Sequence, residues 1–167
     1  NLDFFANYDK LKSTFDDGSF ADNEFNSLSS EQFRAGFTPT YKYKKGEFKI
    51  NSSFGLLERD YTNFDTWNGI SNSFYKSRNV NVDAFNKYNV LSSLYLVTGV
   101  QFQFFDMNQF TPYGDILGNV VKYNVVDPYL TAVYAAKFGL NINAGIRYHM
   151  HSVYGDYLVW NFNPSFN

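Results

Sequence analysis

The stretch LNINAGIRYHMH, Leu140–His151, decides how this chain is read. Side chains of a β-strand alternate between its faces. Here Leu140, Ile142, Ala144, Ile146, Tyr148 and Met150 fall on one face, and Asn141, Asn143, Gly145, Arg147, His149 and His151 on the other. One face is apolar and the other polar. Downstream, YLVWNFNPSF repeats the arrangement with Leu158, Trp160, Phe162, Pro164 and Phe166 against Val159, Asn161, Asn163 and Ser165. Upstream, QFRAGFTPTYKY sets Phe33, Ala35, Phe37, Pro39, Tyr41 and Tyr43 against Gln32, Arg34, Gly36, Thr38, Thr40 and Lys42.

Alternation and aromatic or β-branched enrichment predict further strands over Leu2 to about Lys12, Phe48 to about Leu57, Phe74 to about Phe85, Leu91 to about Phe105 and Asp127 to about Lys137. The total is about eight. No stretch sustains the i, i+3, i+4, i+7 apolar face of a helix. Ile116 to Val126 reads as loop, short helix or extra strand. The fold class is therefore all-β, an antiparallel meander, with residues 1–167 treated as one domain or a fragment of one.

Composition narrows the function classes. Among 167 residues, 14 basic and 16 acidic side chains leave a net charge of -2, which gives no reason to expect nucleic acid. Aromatic content of 21%, from 19 Phe, 14 Tyr and 2 Trp, rules out a disordered chain. Zero cysteines exclude a disulfide framework, a thiolate zinc site and a cysteine nucleophile. No apolar run reaches the roughly 18 to 20 residues of a membrane-spanning helix. The opening NLDFFANYDK has no basic start, apolar segment or cleavage site, so an export signal is expected to be removed or to lie upstream.

The connections come in two sizes. KKGE (Lys44–Glu47), NKYN (Asn86–Asn89) and KFG (Lys137–Gly139) read as short turns. They alternate with long loops, TFDDGSFADNEFNSLSSE, ERDYTNFDTWNGISNS and DMNQFTPYGDILGNVVKYNVV, with a shorter SVYGD near the end. Strands of about 10 to 12 residues exceed the usual length of about 5 to 6 and match a tilted bilayer crossing. Aromatics near strand ends (Phe33, Tyr43, Tyr148, Trp160, Phe166) fit an interfacial girdle. These features favour an apolar face toward lipid and a polar face toward a lumen. The inward set, which includes Gly36, Thr38, Thr40, Asn51, Ser53, Gly55, Ser77, Asn79, Asn81, Ser93, Gly99, Gln101, Gln103, Thr131, Asn141, Asn143, Gly145, Asn161 and Asn163, is small and neutral. Such a wall suits a wide hydrated lumen better than the filled interior of an eight-stranded barrel.

AVYAAKFGLNINAGIRYHMHSVYGDYLVWNFNPSFN, with its KFG turn, NAGIRYH strand and closing NFNPSF, resembles the barrel of a TonB-dependent outer-membrane receptor of the Bacteroidota type. The resemblance implies a segment of a larger barrel of about 22 strands, without the plug domain. It implies energy-coupled uptake of a scarce ligand such as an iron chelate, cobalamin or oligosaccharide. The implied partners are outer-membrane lipid and lipopolysaccharide, the imported small ligand, an inner-membrane TonB-type energising complex acting through the plug, and a surface lipoprotein; no cofactor is implied. Two other readings are a self-contained eight-stranded barrel with an adhesin or structural role, closing Leu2–Lys12 against Tyr157–Phe166, and a soluble barrel with its faces reversed.

RDYTNFDTWNG brings Arg59, Asp60, Tyr61, Phe64, Asp65 and Trp67 into one expected loop, rigid rings and polar groups suited to holding a ligand. An aromatic loop held by its own packing is the alternative. HMH places His149 and His151 on the polar face about 7 Å apart, within reach of a shared ion given a third ligand. Two lumen histidines bonded to water and Asn are the plainer reading, so no metal is assigned. The acidic DDGSFADNE, with Asp16, Asp17, Asp22 and Glu24, lacks the spacing of a calcium loop. Lys42, Lys44, Lys45 and Lys49 read as a solvated turn. No phosphate loop, nucleophile elbow or metalloprotease motif is present, so an enzyme is not expected.

Overall fold

The structure, a computed structural model, describes residues 1–16, 24–65, 69–118 and 121–166. Eight antiparallel strands follow one another in a single sheet: β1 (Leu2–Thr14), β2 (Ser27–Tyr43), β3 (Gly46–Asp65), β4 (Gly69–Leu91), β5 (Leu94–Phe110), β6 (Lys122–Ala135), β7 (Leu140–His151) and β8 (Gly155–Phe166). Each strand pairs with its neighbour in the chain, so the order in the sheet is the order in sequence. The all-β meander expected from the alternation is what forms.

The sheet is open. β1 pairs with β2 alone and β8 with β7 alone, so the closure of Leu2–Lys12 against Tyr157–Phe166 does not occur. The residues of both edge strands are exposed throughout.

Turns at one end are short. Lys44–Lys45 and Lys137–Gly139 turn where expected, and Gly139 takes φ +99°, a conformation glycine adopts without a Cβ penalty. NKYN is not a turn. Asn86, Lys87, Tyr88 and Asn89 stay in β4, with Lys87 opposite Glu47 and Tyr88 opposite Gly46, and the chain reverses at Ser92–Ser93 instead. Ser93 therefore sits in a turn and not on the polar wall. At the other end, ERDYTNFDTWNGISNS is mostly strand, because β3 runs to Asp65 and β4 starts at Gly69. On β3 the outward row there begins with Glu58, Asp60 and Thr62 and turns apolar again at Phe64, paired with Ile70, so the polar part of the ladder looks like a loop in sequence. Ile116 forms an isolated bridge to Gln109, and β6 begins at Lys122.

The register assigns every strand residue to a face. Residues paired across the sheet share a face, and Gly36, Ser53, Asn81, Gln103 and Val125 form one such row. Apart from Ser93, the expected inward set lies on this polar face. That face also carries charge, including Arg34, Arg59, Asp83, Asp127 and Arg147, so it is less neutral than expected.

The other face is apolar in a band. Its outward side chains run Phe33 to Tyr43 on β2, Phe48 to Leu56 on β3, Val80 to Val90 on β4, Leu94 to Phe104 on β5, Val126 to Tyr134 on β6, Leu140 to Met150 on β7 and Leu158 to Phe166 on β8. Each span is about 9 to 11 residues, the length a tilted strand needs to cross a bilayer. At the long-loop end the band stops at outward charges: Lys10, Glu31, Glu58, Arg78, Asp106, Lys122 and Asp156. Lys10 pairs with Glu31, Lys76 with Glu58 and Arg78 with Asp106, so that boundary is laced by ion pairs between neighbouring strands.

Among the described residues no apolar core lies behind this sheet. Val125 is the single buried large hydrophobic among the described residues, while Phe4, Trp160 and Phe166 are 80%, 73% and 72% exposed. The accessible surface is 11615 Å². A globular protein of this mass exposes about 8,500 Å², so this open sheet leaves more surface exposed than a packed domain does.

Candidate functional site

Two clusters stand on the polar face toward the long-loop end. The first is built on the β3–β4 ladder. Arg59 pairs in register with Tyr75, and Tyr61 with Ser73, which brings two tyrosines of adjacent strands together. Their rings meet edge to face, with centroids 5.7 Å apart and planes at 85°. Around them opens a recess of about 340 Å³ lined by Leu57, Arg59, Tyr61, Asn63, Ser73, Tyr75, Ser77 and Met107. That volume falls in the range of small-molecule sites.

The residues expected to share a ligand loop are separated by this geometry. Arg59 and Tyr61 lie on the strand, not in a loop, and share the recess. Phe64 points to the opposite face, where its ring lies 5.3 Å from that of Phe25 and its backbone N–H donates to Asn26 Oδ1 at 2.8 Å. Trp67 lies outside the described residues, as do Asp17 and Asp22. Tyr75, Ser73 and Met107 went unnoticed in sequence, because only the register of β3 with β4 and of β4 with β5 sets them beside Arg59.

The second cluster spans β5 to β8. Asp127 on β6 is buried, 4% exposed, and Arg147 Nη1 donates to its Oδ2 at 3.1 Å. The same Arg147 nitrogen donates to Gln101 Oε1 at 3.2 Å, and its guanidinium lies 5.2 Å from the Tyr129 ring centroid. His149 Nδ1 stands 2.8 Å from Asp127 Oδ1, a buried oxygen with no hydrogen-bond partner among the described residues. The β6–β7 ladder skips Asp127 and Pro128, since proline has no N–H to give. Asp127 was read in sequence only as a strand boundary.

His149 and His151 both face the polar side, as expected, but they belong to a series of rings. Centroids lie 5.4 Å apart for Phe105 and Tyr123, 5.1 Å for Tyr123 and His151, 5.9 Å for the two histidines and 4.5 Å for His149 and Tyr157. His151 Nδ1 accepts the backbone N–H groups of Val153 at 3.1 Å and Tyr154 at 3.3 Å, which holds the turn into β8. Among the described residues no group of three His, Cys, Asp or Glu side chains is arranged to hold a metal ion. The histidines instead stack, cap a turn and face a carboxylate.

The first cluster sets a guanidinium beside phenols, and the second an ion-paired carboxylate beside a row of rings. No protein-family model, curated protein or solved structure matches the chain.

Proposed function

We propose that this chain forms part of the wall of an outer-membrane β-barrel of the TonB-dependent receptor kind, with its polar face lining the lumen and its apolar band in lipid. One observation carries the reading, the band of about 9 to 11 outward residues per strand that ends on a row of charges. At about 3.3 Å per residue and a tilt near 45°, such spans stand about 25 Å tall, the height of a lipid-facing barrel surface. The open edges agree with it. In lipid, unpaired backbone groups along β1 and β8 cost several kcal/mol each, so both edges call for further strands.

On this reading the long connections and the Arg59 recess lie at the outer mouth, above the lipid, and meet a ligand arriving from outside. Capture there is by stacking and hydrogen bonds, and passage runs down the Asn- and Gly-rich wall. Release is gated by a plug driven from the inner membrane. The scarce ligand is of the iron-chelate, cobalamin or oligosaccharide kind.

The test is the intact mass, in denaturant, of the polypeptide bearing this sequence, extracted from its source membrane, with its detergent requirement. A mass several times 19.3 kDa and a need for detergent support a large receptor. A detergent-free soluble protein overturns it.

A further inference from the structure

We infer that the recess around Arg59 takes the anionic group, carboxylate or phosphate, of a small ring-bearing molecule. The inference rests on the outer-mouth reading above and deepens it by naming the ligand's charge.

Among the described residues, four of the fourteen cations are matched to carboxylates. Lys10, Lys76, Arg78 and Arg147 each pair with an acidic side chain. Arg59 forms no ion pair among the described residues, and its surroundings explain why. Its register partners are Ser30 on β2 and Tyr75 on β4. The next residues along its face are Leu57 and Tyr61, and the diagonal positions hold Leu28, Gln32, Ser73 and Ser77. All are neutral. A guanidinium always carries its charge and presents a planar fork of donors that fits a carboxylate or phosphate in two places at once. The hydroxyls of Tyr61, Tyr75, Ser73 and Ser77 add further donors around the same opening. Leu57, Met107 and the crossed tyrosine rings supply an apolar and aromatic wall. A positive fork, hydroxyl donors and rings in one recess match an anion attached to a flat or ring-shaped body. The Asp127 cluster contrasts with it, because there the guanidinium is already occupied.

The probe is naphthalene-2-carboxylate, compared with its neutral amide of nearly the same shape, titrated into the full polypeptide in detergent and followed by naphthalene fluorescence. The carboxylate should bind at least tenfold more tightly than the amide. Arg59→Gln should remove that preference. Arg34→Gln, which deletes a guanidinium from the same face outside the recess, should change affinity less than twofold. Equal binding of acid and amide overturns the inference, as does an equal loss in the two variants, which would mean diffuse charge attraction. Flotation of the same samples with lipid vesicles tests the membrane reading separately: protein that floats but shows no acid preference loses only this inference, and protein that fails to float loses the reading beneath it.

Discussion

Tyr129 on β6 crosses Gly99 on β5, so that a Cβ built on Gly99 would stand 2.7 Å from the phenol ring, and the Tyr129 hydroxyl then donates to Asp83 on β4 at 2.9 Å. One side chain thus spans three strands because the middle one has no side chain at that point. The same device recurs where Phe5 covers Gly36 and Asn161 approaches Gly145. It ties the polar face together without an apolar core.

Gly99→Leu should therefore displace Tyr129 and break its bond to Asp83. The expected loss is about 1 to 3 kcal/mol of overpacking, read as a lower urea midpoint for unfolding from lipid vesicles. Tyr129→Phe, which keeps the ring and removes the bond, should cost about 1 kcal/mol. Equal midpoints for Gly99→Leu and wild type would mean that the ring does not rest there.

Substitution by Arg should separate the faces. Phe102→Arg, in the apolar band of β5, should cost about 2 to 4 kcal/mol if it lies near the bilayer middle. Gln103→Arg, one residue later on the polar face, should cost less than about 1 kcal/mol. Unfolding midpoints in vesicles measure both, and a reversed order would turn the sheet inside out.

Asp127→Asn should remove an acceptor that Arg147 and His149 both face. Hydrogen bonds to a buried charge are worth about 1.5 to 3 kcal/mol, so the variant should unfold at lower urea. His149→Phe keeps the stacking with Tyr157 and leaves Arg147 to hold the carboxylate, and it should lose less than Asp127→Asn. Equal losses would show that the histidine, not the arginine, is the main partner.

The open sheet makes a covalent prediction. Cysteines at Gly145 and Asn161, partners in the β7–β8 register, should cross-link under mild oxidation. Cysteines at Asp3 and Asn163, on the two edge strands, should not cross-link within one chain. A fast intrachain bond between them would mean that the barrel closes with these eight strands.

Much of the fold was legible in the alternation, because a strand with one apolar face repeats every second residue. Leu140–His151 and Tyr157–Phe166 form strands with the faces expected. Legibility failed where alternation outlived apolarity. Glu58, Asp60 and Thr62 continue β3 outward past the band, so Arg59 and Tyr61 looked like loop residues when they are wall residues. Asn86–Asn89 looked like a turn because Asn and Lys favour turns, yet Lys87 lies 4.5 Å over the Tyr95 ring and stays in the ladder. The site was half legible. Arg59, Tyr61, His149 and His151 stood out by residue type, whereas Tyr75 and Asp127 join them through pairings between distant segments that residue type does not announce.

The central claim is that one face of this sheet meets lipid and the other meets water. The chain has no cysteine, so single cysteines placed in turn from Val97 to Phe105 along β5 report each position cleanly. The measurement is their rate of labelling by a water-soluble maleimide in the full polypeptide reconstituted in vesicles. Positions 97, 101, 103 and 105 should label quickly and 98, 100, 102 and 104 slowly, with a period of two broken only at 99, which the Tyr129 ring covers. Equal rates at all nine positions, or fast labelling on the Val100, Phe102 and Phe104 face, would contradict it.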